Sequence, residues 1–543
     1  MNPAGRGNGG RVKTMVDMNA QTRRQLLTAI GKTGGALAMY QAMTAMGHAA
    51  ESRFDGPPKL TGGRKGASVL VLGAGLAGMV AAFELTKAGY KVQILEYQNR
   101  PGGRNYSVRG GDKIVEVGGA SQTVGFAPGN YLNPGPWRIP HHHRTLLHYC
   151  RQFGVELEPF IQLNHNALIH SSTAFGGKPQ RYKELAVDFK GQTSELLGKA
   201  LNMGALDAQV TTEDKQKLME ALRDWGVLDK NMAYTPSLKV ANQRGFDKPP
   251  GGGVDAAPTP SQVSGLPDLM NAGIGGHMAF YFNYVMQTTM FQPTGGMDMI
   301  GKAFAKRIGN IVRYNTKVTT IAQDSSGVTA RWQDIATGQM GETKADWCVC
   351  TIPLPVLSQL DIQVGAPMQA AIKAVPFSGQ VKIGLEMRSR FWEEKYSIYG
   401  GHSFTDQGIG LISYPNNDMF KDGPAVLLGA FARDAGGLQL AGMTHAERIE
   451  TALAQGSVFH PPEYRREFLN GASVAWSRLP WILGCTSRWT DQSRAAHYQN
   501  LVALDGRIAL AGEHASYYGG WMEGSLLSGL DAITRIHQRA LAA

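Results

Sequence analysis

Cysteine is scarce, with four in 543 residues: Cys150, Cys348, Cys350 and Cys485. Their spacing builds neither a disulfide framework nor a zinc site, so a stapled scaffold and a structural zinc are both excluded. Long hydrophobic runs are also missing. The apolar stretch after Arg24 is broken by Lys32 and by glycines. It falls short of the roughly 20 strongly apolar residues a membrane span requires. Acidic residues are outnumbered, 43 to 54, for a formal charge of +11. Much of that excess lies in residues 1–50, where Arg6, Arg11, Lys13, Arg23, Arg24 and Lys32 face Asp17 alone. No dense Lys/Arg stripe with interleaved aromatics follows, so nucleic acid is excluded as a partner. A metal is not indicated either. His141, His142 and His143 are adjacent, cannot all face one ion on a helix, and read as solvated or helix-start histidines.

Glycine is plentiful, at 68 residues, and much of it falls in tight turns beside apolar runs. The length calls for two or three domains. Thr22-Arg23-Arg24-Gln25-Leu26-Leu27, a weakly apolar stretch and the small residues around Gly47–Ala50 resemble a twin-arginine export signal, over residues 1–50. That predicts a periplasmic or secreted protein that folds around its cofactor before export. Without it the chain stays cytoplasmic.

Residues 67–72 are a short apolar run that reads as a buried parallel strand. Gly73-Ala74-Gly75-Leu76-Ala77-Gly78 then turns the chain into a helix predicted over 79–88, and a second strand covers 92–95. In such a GxGxxG turn the first glycine permits the bend. The second admits a pyrophosphate against the backbone, and the third lets helix and strand pack closely. Glu96 ends the second strand where a carboxylate takes ribose hydroxyls and disfavours a 2′-phosphate. The motif leaves NAD and FAD open. Cys348 and Cys350 alternate in a further predicted strand at 346–352 and read as buried and inert.

Downstream residues decide for FAD by resemblance. Arg100-Pro101-Gly102-Gly103-Arg104 is similar to the second glycine motif of the FAD-dependent amine oxidase superfamily. Glu116-Val117-Gly118-Gly119-Ala120 is similar to its acidic-Gly-Gly segment. Gly512-Glu513 and Gly520-Trp521-Met522 are similar to its closing motif. The resemblance implies FAD held by Gly73, Gly75, Leu76, Ala77, Gly78, Glu96, Arg100, Gly102, Gly103, Arg104, Gly118, Gly119, Ala120, Gly512, Glu513, Gly520, Trp521 and Met522, with Val318 on the adenine. Glu513 would meet the ribityl or phosphate region. Cys485 follows Trp476 at the spacing of the flavin-linked cysteine of monoamine oxidases, so a covalent thioether is an alternative to non-covalent FAD.

Lys382 is the single charge on a predicted apolar strand, costly unless it works or is paired. Its context resembles the lysine that holds a water at flavin N5 in amine oxidases, which implies a catalytic role. Gly135-Pro136-Trp137-Arg138-Ile139-Pro140-His141-His142-His143-Arg144 resembles the carboxylate-binding segment of L-amino acid oxidases, and amino acid 2-monooxygenases are similar. The resemblance implies that Arg138 grips the substrate carboxylate as a bidentate fork, with Tyr414 joining it. Trp521 would wall the pocket. A second cage aromatic is missing, since Thr486 stands there.

The fold expected is α/β. A Rossmann-like FAD-binding domain is drawn from 65–110, 290–375 and 497–543, and a mixed-sheet substrate domain from 111–145 and 376–496. A helical insertion spans 146–289, with an irregular Gly/Pro-rich loop at 241–262. The function expected is oxidative deamination of an L-amino acid to a 2-keto acid, ammonia and hydrogen peroxide, with molecular oxygen as acceptor. Large or aromatic side chains are the expected preference. The alternatives are a monoamine or polyamine oxidase, a 2-monooxygenase giving amide and carbon dioxide, and a flavin dehydrogenase. A homodimer is compatible with this reading.

Overall fold

The computed structural model describes residues 54–62, 66–205 and 210–542, and the predicted export signal lies outside them. Residues 56–542 pack as one body. It starts with the predicted βαβ unit: β1 (Ser68–Leu72), α1 (Leu76–Lys87) and β2 (Lys91–Leu95), with the two strands parallel. The helix begins at Leu76 rather than 79, because Gly75 is already its N-cap. Four of the five β1 residues are buried, as a central strand covered on both faces requires. The sheet has six strands, in the order Val312–Arg313, β2, β1, Trp347–Cys350, Ile508–Leu510, Leu504–Asp505. The last strand alone runs antiparallel to its neighbour. Cys348 and Cys350 are both buried at its centre, where desolvation holds their thiols protonated.

The third glycine of the turn is fixed by contact. A Cβ on Gly78 would lie 2.0 Å from the Gly73 carbonyl oxygen. The helix axis could not then approach the turn, and α1 would lose its aim.

Helix α2 (Arg144–Phe153) runs beside α1 and stops at Gly154, whose left-handed backbone (φ 70°) returns N–H bonds to the last turn. A seven-stranded mixed sheet forms the second layer of the body. Towards one edge of it β3 (Val381–Met387) and β4 (Ala425–Ala432) pair antiparallel in register Lys382–Phe431, with Phe468–Ala475 the edge strand beyond β3. Every residue of β3 is buried. The chain closes with α3 (Met522–Ala542), which packs on α1 through Gly529; a Cβ there would reach 2.6 Å from the Ala77 carbonyl.

Two expectations about the middle of the chain are corrected. Leu168–His170 and Gln180–Arg181 belong to the seven-stranded sheet, so the span 146–289 is not wholly helical. The Gly/Pro-rich stretch 241–262 is not irregular throughout. Phe246–Lys248 and Thr259–Pro260 pair antiparallel within it, and most of its prolines and glycines make the connection between them. Among the described residues, no helix is long and apolar enough to cross a membrane.

Candidate active site

A cavity of about 380 Å³ opens between the two sheets. One end is built by the glycine turn. Gly73, Gly75, Leu76 and Ala77 line it, and Gly102 and Gly103 face them across a bridge in which the Gly102 N–H donates to the Ala74 carbonyl (2.8 Å). Gly75 caps α1 without any side-chain partner, so the first N–H groups of the helix and its positive end are presented to the cavity. A Cβ on Gly75 would meet no protein atom within 4 Å; it would stand in the open space itself. Glu96 is buried at the end of β2. Its carboxylate accepts from the Ala74 N–H (2.6 Å) and the Gln98 N–H (2.8 Å), and burial raises its pKa. Thr316, Lys317 and Val318 line the wall beyond it.

Glu513 also lines this cavity, but its carboxylate is already committed. It accepts from Arg104 Nη1 (2.8 Å), the Ser487 hydroxyl (2.8 Å), the Ser487 N–H (3.1 Å) and the Gly520 N–H (2.8 Å). Those four donors fill a carboxylate's capacity. Glu513 ties Arg104 and the Gly520 turn into one piece.

The other end of the cavity is aromatic and cationic. Lys382 is 2% exposed on β3. Its Nζ donates to the Gly135 carbonyl (2.6 Å) and the Asn133 carbonyl (3.3 Å), and lies 4.3 Å from the centre of Trp137 and 4.8 Å from that of Phe431. Desolvation, reinforced by Arg138 and Arg433 and opposed by Cys485, holds its pKa well below the ordinary lysine value. Arg138 is 3% exposed. One guanidinium nitrogen rests on the Met286 sulfur (3.0 Å), while Nε and Nη1 have no partner. Burial first, and then Arg433, lower its pKa; guanidinium still stays charged at neutral pH. Trp521 faces it at 5.9 Å. Cys485 lines the same space. Its Sγ donates to Gln380 Oε1 (3.1 Å), and burial pushes its thiol up to about 11.

The sequence profile of the flavin-containing amine oxidoreductases matches residues 76–537. The chain belongs to that family. Its cofactor is FAD. It is similar to the Bacillus subtilis (strain 168) protein YobN, 27% identical over 85% of this chain and 93% of that one. It is similar also to an L-amino-acid oxidase of Siganus canaliculatus, 26% identical over 87% of this chain and 86% of that one. Among solved structures, cyclohexylamine oxidase from Brevibacterium oxydans superposes with a TM-score of 0.57 at 17% identity, over 87% of this chain and 99% of that one.

The residues present fit this flavin-containing family's cofactor. An uncapped helix start, a glycine cradle with room where a Cβ would stand, and a buried carboxylate at the end of the second strand form the donor and acceptor set for a dinucleotide. Gly512, Gly520, Trp521 and Met522 continue the lining towards Lys382.

Four expectations are corrected. Gly78 does not line the cavity; it packs against the turn. Arg100 stands behind the lining, where it donates to the Gly103 carbonyl (3.0 Å) and stacks 3.6 Å from the centre of Tyr106. Gly118, Gly119 and Ala120 are exposed at the tip of the hairpin Lys113–Val115/Ser121–Thr123. Because Val108–Arg109 pairs with Tyr131–Leu132, residues 110–130 are an excursion, and the segment that reaches the cavity is Gly135–Arg138. Tyr414 is buried outside the cavity lining, with its hydroxyl bonded to Ser403 Oγ (2.8 Å) and His460 Nε2 (2.8 Å). Its position directly after the Leu411–Ser413 strand turns it into the core.

His142 and His143 are buried rather than solvated, with His143 the N-cap of α2 and 5.1 Å from Trp521. Sequence reasoning missed Met286, Phe431 and Arg433. A charge directly after the apolar run of β4 was the signal for Arg433; Met286 carried none.

Proposed function

We propose that this amine oxidoreductase deaminates an L-amino acid, giving a 2-keto acid, ammonia and hydrogen peroxide. The observation that carries the reading is Arg138: a buried guanidinium with two unpartnered nitrogens beside the cavity, on which a carboxylate fits as a bidentate partner. A simple amine would leave that charge desolvated and alone.

Arg138 fixes the carboxylate, while Trp137 and Trp521 confine the side chain and amine. Holding one end rigid aims the Cα–H bond, a large part of any such rate. When bound, FAD supplies the acceptor for the hydride of that bond. Lys382 acts as a proton carrier. Its desolvated Nζ is held by two carbonyls, so a neutral amine keeps its lone pair free for a proton from the reacting amine or its water. Water hydrolyses the imine product, and oxygen takes the electrons. The glycine turn, Glu96 and Val318 hold the dinucleotide, and Glu513 positions Arg104. FAD is non-covalent in this reading, with the Cys485 Sγ donating to Gln380 Oε1 (3.1 Å). The protein works outside the cytoplasm, on the strength of the Arg23-Arg24 pattern.

Anaerobic mixing of the purified yellow protein with L-amino acids and with primary amines is the test. Bleaching by amino acids is expected. Bleaching by amines alone would refute it, and an amide product with carbon dioxide would move the enzyme to the monooxygenases.

A further inference from the structure

The body treats its inner arginines in two ways. Arg104 pairs with Glu513, Arg244 with Asp188, Arg390 with Glu393 and Arg448 with Glu116. Arg138 and Arg433, both lining the cavity, have no carboxylate within salt-bridge distance among the described residues. The acidic neighbour of Arg433, Asp434, is exposed, shared with Arg488 (3.4 Å), and only partly offsets the burial that lowers the Arg433 pKa. Arg138 and Arg433 flank one aromatic wall. Arg138 lies 5.0 Å from the Trp137 ring centre, Trp137 meets Phe431 edge-on at 5.6 Å, and Arg433 lies 4.2 Å from the centre of Phe431. Lys382 occupies the middle of that wall and supplies no negative charge.

We infer that Arg433 is a specificity-determining residue, and that the substrate is an L-amino acid with a side-chain carboxylate. This rests on the reading of Arg138 as the α-carboxylate anchor. Two like charges in one cavity oppose each other, and burial lowers the pKa of both. One carboxylate relieves one of them. A dicarboxylic amino acid relieves both, with its Cα–H held between two fixed points. A neutral side chain would leave Arg433 desolvated without a partner, which a site built for a charged group rejects strongly. This inference stands in place of the expected preference for large or aromatic side chains.

The experiment is anaerobic reduction of the holoenzyme by L-glutamate and L-aspartate against L-glutamine, L-asparagine and L-leucine. The preferred acid should reduce the enzyme about 100-fold more efficiently than its amide. Arg433→Gln should bring acid and amide to parity by lowering the efficiency with the acid, and Arg433→Lys should restore part of the preference. Calorimetric titration of glutarate and succinate against butyrate gives a readout apart from turnover. The better dicarboxylate should bind about 30-fold tighter than butyrate, and only while residue 433 is cationic. Equal rates with acid and amide in the unmodified enzyme overturn the role of Arg433 and leave Arg138 standing. Reduction by amines but by no amino acid overturns both. If Arg433→Gln fails to fold, the acid-to-amide ratio of the unmodified enzyme decides. If it sheds FAD yet keeps the acid preference, Arg433 serves the cofactor and the inference fails.

Discussion

The two ends of the cavity are built on opposite rules. At the glycine-turn end, groups are satisfied by close neighbours: Glu96 by two backbone N–H groups, Glu513 by four donors, and Arg104 by Glu513. At the aromatic end, cations stand without counter-charges: Arg138 on a methionine sulfur, Arg433 on a phenyl ring, Lys382 on two carbonyls. The first arrangement is complete before anything binds, apart from the helix N–H groups. The second is a set of cations whose arrangement suits an anionic substrate. A cofactor that never leaves suits the first, and a substrate that must come and go suits the second.

The sharpest way to break that contrast is Arg138→Met. Loss of a buried charge contact of about 2–5 kcal/mol should lower kcat/KM for L-amino acids by two to three orders of magnitude, mainly through KM, with FAD content unchanged. Unchanged kinetics would mean the deficit at Arg138 is not a substrate site. Next comes Glu96→Ala, which removes an acceptor from the finished end. FAD should then bind more weakly by about 1–3 kcal/mol, read by titrating the apoprotein, while KM for the amino acid holds.

Acid comes third. Burial holds His143 and His460 near 3 and His514 near 4, all below the ordinary histidine range. Below pH 6.5 the unfolded chain binds protons that the folded chain refuses. Stability is therefore full above that pH and falls as pH drops towards 4, by about 1.4 kcal/mol per unit for each histidine. Melting temperatures across that window should track this, and His460→Gln should flatten the slope. Gly119→Ala is a smaller change still. At φ 87° on an exposed hairpin tip it should cost about 1 kcal/mol and leave FAD content untouched. FAD loss would return that segment to the cofactor site. Lys382→Met should have a small net effect on stability, under about 1 kcal/mol, because removing an amine buried without a counter-charge offsets the loss of its two hydrogen bonds to carbonyls. A large fall in melting temperature would make Lys382 structural.

What could be read from the sequence follows the same division. The glycine turn, Glu96 and the βαβ unit were legible because their physics is local: a turn, a strand end and a helix start lie within 25 residues. Lys382 was legible because one charge in an apolar strand is anomalous by itself. Gly118–Ala120 misled because a local glycine pattern says nothing of which side of the body a hairpin tip faces. Only the pairing of Val108–Arg109 with Tyr131–Leu132 makes 110–130 an excursion. Tyr414 misled because the hydroxyl's partner His460 lies 46 residues along the chain, where no local pattern reveals it. Arg433 was missed because the deficit around it, unlike its identity, exists only in three dimensions.

One buried carboxylate has a mechanical consequence. Glu523, in the first turn of α3, accepts the Thr145 and Leu146 N–H groups at the start of α2 (3.0 and 2.9 Å). Trp521 lies two residues before it, and Arg138 a few residues before α2. The pocket's tryptophan and its arginine thus hang from one bracket, and neither shifts without the other. Adaptation to a longer or shorter substrate has to fall on lining residues outside that bracket, Met286 and Arg433 at the end of β4. Libraries for altered side-chain preference belong at those two positions, with the bracket left alone.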